Sequence, residues 1–168
     1  MKNLAEIKTE VERLAATIEA SQSHALPTYA YSADFARPHI EVDSQGYHLV
    51  IIERGQELER FTTVEFDDVL YRIFKNVTSA LAIDYELSHR VDAKDCRRII
   101  FSKQLELLTK LSQHWADRQA MELDGILKKY PFDDQAAIRA RLSMRVGWKK
   151  ACEQYPLPLV PDTEDRKS

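Results

Sequence analysis

The spacing of apolar residues changes period twice along this chain, and that change limits the fold more than any single residue does. Near the start, apolar side chains recur at Leu4, Ile7, Val11, Leu14, Ala15 and Ile18, a three-and-four spacing that predicts an amphipathic helix. Between His39 and Val64 the period shortens. The runs His39 to Asp43, Tyr47 to Arg54 and Glu57 to Val64 are β-rich and are separated by Ser44-Gln45-Gly46 and Gly55-Gln56, the pattern of a three-stranded antiparallel meander. Helical spacing returns at Phe66, Val69, Leu70, Ile73, Phe74, Val77, Leu81 and Tyr85. Asp67 and Asp68 then stand in the first turn, where the helix dipole favours negative charge. The expected class is α+β, mostly helical with a small three-stranded antiparallel sheet.

The remaining segments are read the same way. Ser21 to Pro38 loses periodicity and is expected to be an ordered loop that lays Tyr29, Tyr31 and Phe35 over the core. The strand Tyr47-His48-Leu49-Val50-Ile51-Ile52 is apolar on both faces at its centre, which predicts helices on one side and loop or partner on the other. Asp92-Ala93-Lys94-Asp95 supplies capping side chains for a third helical system from Cys96 to Ile126, bent at Ser102 and stopped by Tyr130-Pro131. Asp133 or Asp134 then caps a last helix carrying Ile138, Leu142, Val146, Ala151 and Tyr155. Pro156 to Pro161 and the charged tail are expected to be extended and then frayed.

At 168 residues, 44% hydrophobic and 30% charged, the chain is long enough to bury about two-thirds of its unfolded surface. One domain over residues 1–168 is expected. Glycine occurs only at Gly46, Gly55, Gly125 and Gly147, so no phosphate-cradling GxGxxG or GxxxxGK[ST] loop can be written. The start, Met-Lys-Asn-Leu-Ala-Glu-Ile-Lys, lacks the apolar core of a signal peptide, and no stretch approaches the ~20 apolar residues of a membrane span. A cytoplasmic protein is the expectation, with Cys96 and Cys152 as buried free thiols.

Little in the sequence points to chemistry. His24, His39, His48, His89 and His114 are not spaced with one another or with a cysteine as zinc ligands are, so no metal and no cofactor are expected. The thiols lie in apolar helical runs where burial keeps them inert. No GxSxG elbow or SxxK pair exists. The close carboxylates Asp67 with Asp68 and Asp133 with Asp134 stand where helix starts are expected, and capping explains them. With a formal net charge of −3, general affinity for nucleic acid is not expected. No active site is anticipated.

Charge distribution says more than its total. From Pro38 to Glu65 the six acids Glu41, Asp43, Glu53, Glu57, Glu59 and Glu65 face the bases Arg54 and Arg60, a balance of −4. From Ala93 to Tyr130 eight bases face five acids, a balance of +3. Such a dipolar molecule steers a basic partner to its acidic side, which makes those six carboxylates the candidate partner-binding surface. The alternative is that strand acids keep exposed sheet edges from aggregating. Arg97 and Arg98 point about 100° apart on a helix, so a structural ion pair with Asp84 or Asp92 is expected for one of them.

Several strings are familiar in combination. They are Glu53-Arg54-Gly55, Phe66-Asp67-Asp68-Val69-Leu70-Tyr71, Asp95-Cys96-Arg97-Arg98-Ile99-Ile100-Phe101 with Gln104, and Ile126-Leu127 with Tyr130-Pro131-Phe132-Asp133-Asp134. Together, from Glu53 to Asp134, they resemble the Immunity protein 63 family of bacterial polymorphic-toxin and contact-dependent growth inhibition systems. The resemblance implies a cytoplasmic protein that binds the C-terminal domain of a cognate toxin and blocks it without turnover. Many such toxins are nucleases with a basic cleft, which an acidic inhibitor surface would imitate. The competing reading is a small hydrolase or ligand-binding regulator with a site assembled from His48, His89, Asp84 and Arg97.

Overall fold

The computed structural model describes residues 1–160; the tail from Pro161 onward, expected to fray, lies outside the described residues. Helix α1 spans Leu4–Thr17, as the first apolar stripe requires, and buries Ile7, Val11, Leu14 and Ala15. Its start is a capping box. Asn3 Oδ1 accepts from the Glu6 amide at 3.0 Å while Glu6 Oε2 accepts from the Asn3 amide at 2.8 Å, so two otherwise orphaned donors are satisfied.

The sheet departs from the expected three antiparallel strands. It has four, β1 (Thr28–Tyr29), β2 (Pro38–Asp43), β3 (Gly46–Glu53) and β4 (Gln56–Thr63), in the order β1-β2-β3-β4. The meander β2-β3-β4 is antiparallel, and β1 adds in parallel to β2. Two residues are too few to carry a period, so nothing in the local sequence could signal β1. Only Tyr29 of the loop's aromatics packs against the core. Tyr31 and Phe35 stand in solvent instead of covering it, because positive φ at Ala30, Asp34, Phe35 and Ala36 turns the chain outward there.

The β2–β3 turn depends on Gly46. Its φ is +145°, and a Cβ built there would lie 2.4 Å from the Thr63 carbonyl oxygen of β4, so only glycine lets β4 close over the turn.

Five further helices follow: α2 (Phe66–Ser88), α3 (Arg97–Leu111), α4 (Gln113–Lys129), α5 (Ala136–Val146) and α6 (Trp148–Gln154). The expected bend at Ser102 is absent, since α3 runs through it. The chain breaks at Ser112, whose backbone is extended and whose side chain caps α4 by accepting from the Trp115 amide. The single last helix is likewise two, split at Gly147 with φ +85°. Cys96 is exposed just ahead of α3 and Cys152 is half-buried, both free, so the expected burial does not hold for Cys96.

Helix α2 is the centre of the core. Val69, Tyr71, Ile73, Phe74 and Val77 pack with the α1 stripe, with Leu107 and Leu108 of α3 and with one face of the sheet. Phe74 stacks on Trp115 of α4, ring centroids 6.0 Å apart. Each fully buried side chain of this kind is worth roughly 1.5–3 kcal/mol over exposure. The acids at the start of α2 do more than answer its dipole. Asp67 accepts the Trp115 indole N–H at 3.0 Å, and Asp68 pairs with Arg118 at 2.6 Å, so both bind α4 to α2.

Candidate interaction surface

Strand register sorts the sheet into two faces. The rows Ile40–Leu49–Phe61 and Val42–Tyr47–Thr63 turn towards the helices, and the rows His39–Val50–Arg60 and Glu41–His48–Thr62 turn away from them. The second face is polar yet tightly closed. His39 and His48 are only 2% and 4% exposed, and Val50 between them is fully buried. Cross-strand side chains close it over. Arg60 donates to Glu41 at 2.8 Å and to Glu57 at 2.7 and 3.0 Å, while His39 Nε2 meets Glu41 at 3.0 Å. Alongside, His48 Nε2 meets Asp43 at 2.9 Å and its Nδ1 meets Thr62 Oγ1 at 2.8 Å. Because a carboxylate only accepts, each Nε2 carries a proton.

These contacts hold the outer-face acids ionised. Hydrogen bonds from Arg60 and then His39 lower the Glu41 pKa, Arg60 lowers that of Glu57, and His48 with the Gln45 amide lowers that of Asp43. Arg60 is held protonated in return, its pKa raised by Glu57 and Glu41.

The six candidate carboxylates are not one patch. Glu41, Asp43 and Glu57 share the outer face. Glu59 lies on the helix side, paired with Arg72 of α2 at 2.6 Å. Glu53 stands at the β3–β4 hairpin tip beside Arg54, and Glu65 occupies the position ahead of α2 without a side-chain capping bond. Glu57 and Arg60, three apart, would fall on opposite faces of a regular strand. The register shift between Ile51 and Ile52, which pairs them with Glu59 and Glu57, leaves Leu58 as the extra residue and restores the two to one face. Sequence alternation alone had no means of showing this, so the role of Arg60 as the clamp went unseen.

Arg97 and Arg98 both form ion pairs, with partners other than those expected. Arg97 meets Asp95 at 2.6 Å and donates to the carbonyls of Tyr130 and Pro131, and Arg98 meets Asp134 at 2.8 Å. Asp95 in turn accepts from the Asp133 amide, and Asp134 from the Asp95 amide. This knot ties the end of α4 and the start of the α5–α6 hairpin to the head of α3. Burial alone would raise the Asp95 pKa, but its hydrogen bonds to Arg97 and to the Asp133 and Arg97 amides bring it down to about 2.

The residues of the hydrolase reading engage different neighbours. His48 holds Asp43 and Thr62, His89 donates from Nδ1 to the Tyr85 carbonyl and stacks on that ring, and Arg97 belongs to the α3–α5 knot. Among the described residues no cluster of three or more His, Cys, Asp or Glu side chains is arranged to hold a metal ion, and no helix is long and apolar enough to cross a membrane.

Residues 43–125 match the model of the Immunity protein 63 family, and this stretch of the chain is similar to that family. The match begins in β2, ahead of the expected Glu53, and ends in α4, so the Tyr130 to Asp134 string lies beyond it. No curated protein and no solved structure matches the chain.

Proposed function

We propose that the protein is an immunity protein that neutralises a cognate bacterial toxin domain by forming a stoichiometric complex in the cytoplasm, with no turnover of its own. The family match over residues 43–125 carries this reading. It takes in the whole sheet from the end of β2 onward together with α2, α3 and most of α4. The proposed contact is the sheet's acidic outer face, Glu41, Asp43 and Glu57, with Glu53 at the hairpin tip; Glu59, on the helix side, and Glu65, ahead of α2, stand apart from it. A basic toxin surface, such as the substrate cleft of a nuclease, is the complementary partner.

Co-expression with the toxin domain encoded beside it tests the reading: growth should be rescued and the two chains should purify together. Glu57→Lys, on the outer face, should weaken the complex more than Glu59→Lys, which faces α2. Equal effects would discard the sheet face and leave the immunity role standing. Catalytic turnover by the purified chain, or failure to bind any toxin encoded alongside, would overturn the role itself.

A further inference from the structure

Among the described residues, a basic cluster without ion-pair partners lies outside the family match. Residues 136–155 carry Arg139, Arg141, Arg145, Lys149 and Lys150 against Glu153 alone, a balance of +4. Arg139 is consumed internally: it is 1% exposed, pairs with Asp133 and donates to the Tyr155 and Pro156 carbonyls at 3.0 and 3.1 Å. Arg141, Arg145, Lys149 and Lys150 form no ion pair among the described residues, whereas Glu41, Asp43, Glu57 and Glu59 each have a cationic or imidazole partner.

Apolar side chains accompany this charge. Met144 is 81% exposed and Trp148 56%. A groove of about 480 Å³ runs between the two helices, walled by Ile138, Leu142, Met144 and Tyr155 with Arg141 and Arg145 in its lining. Residues 141 and 145 are one helical turn apart and so lie on the same face of α5. The hairpin packs chiefly on itself, joined to the body by the Asp95, Asp133 and Asp134 knot.

We propose that this groove docks an acidic segment of a protein partner, with Asp or Glu on either side of one large apolar residue. Arg141 and Arg145 take the carboxylates, and the wall of Ile138, Leu142 and Met144 takes the apolar side chain. Two features favour such a segment over a polyanion or a lipid surface. The concavity admits an inserted side chain, which a phosphate backbone lacks and a flat bilayer presents poorly. The molecule as a whole carries −3, which repels an extended polyanion but is screened beyond roughly 8–10 Å for a short segment seated locally. This surface is independent of the sheet face and of the immunity role.

The test uses the full chain and a fluorescein-labelled peptide, Glu-Asp-Glu-Phe-Glu-Asp-Glu, followed by anisotropy, with two control peptides carrying Ala for Phe or Lys for every acid. Saturable binding at about 10–100 μM is expected. It should fall about tenfold or more with the Ala control and in the R141E/R145E double variant, and the double variant should instead capture the Lys peptide. M144A, which removes apolar wall without adding charge, should weaken the Phe peptide alone, and far-UV circular dichroism of each variant checks its fold. No saturation below about 1 mM, or affinity unchanged in the folded R141E/R145E and M144A variants, overturns the proposal. So does Arg141-dependent binding of phosphatidylglycerol vesicles, of duplex DNA or of a second copy of the chain in place of the peptide.

Discussion

The guanidinium of Arg60 on β4 reaches across β3 to the Glu41 carboxylate on β2, 2.8 Å away, while its other nitrogens hold Glu57. One cation thus half-neutralises the most acidic part of the sheet and roofs the buried Val50. Removing it exposes the latent field. In Arg60→Gln the outer face gains a net negative charge, and association with a basic toxin domain should be faster by severalfold at low salt, converging with wild type as salt rises. Stopped-flow association against ionic strength checks this. The stability cost should stay within about 1 kcal/mol per pair lost, because the pairs are solvent-facing.

Arg139 anchors the α5–α6 hairpin from inside. Its replacement by Met strands the Asp133 carboxylate and two backbone carbonyls, and loss of one partner of a buried pair costs about 3–5 kcal/mol. Amide exchange should therefore accelerate across Ala136–Gln154 while the α2 amides stay protected. Uniform acceleration across both regions would show that the hairpin is not a separate unit of stability.

Asp95 makes the knot acid-sensitive. Its pKa is depressed from 3.8 to about 2, so its contribution is present in full above the unfolded value and is lost as pH falls from about 4 through 2, on the order of 2 kcal/mol for this largely buried side chain. Urea midpoints at pH 7, 4 and 2 should fall more steeply in the wild type than in Asp95→Asn, which begins lower and flattens the profile.

Gly46→Ala should destabilise the hairpins by about 1–3 kcal/mol through the strained φ and the close Thr63 carbonyl. The outer-face pair Asp43 and His48 should loosen with it, visible as changed imidazole resonances. A stable G46A with an unaltered His48 spectrum would refute the packing ascribed to this turn.

Most of the elements were legible in the amino-acid sequence, because burial on one face imposes a period. The α1 stripe, the three meander strands and α2 each follow from apolar spacing, and the strings between Glu53 and Asp134 carried the resemblance to Immunity protein 63. What periodicity could not contain is whatever depends on a neighbour distant in the chain. The parallel pairing of Thr28–Tyr29 with β2, the Tyr130 and Pro131 carbonyls that Arg97 reaches and the Asp134 partner of Arg98 all required the folded chain.

The candidate surface divides in the same way. Its acidic composition was readable residue by residue, since charge is a property of the side chain alone. Which carboxylates stand together, and which are already answered by a cation, was decided by register: the extra residue at Leu58 brings Arg60 round to Glu57 and turns Glu59 away towards Arg72. A strand's faces alternate with each residue, so a single inserted position, invisible to composition, reassigns every side chain beyond it.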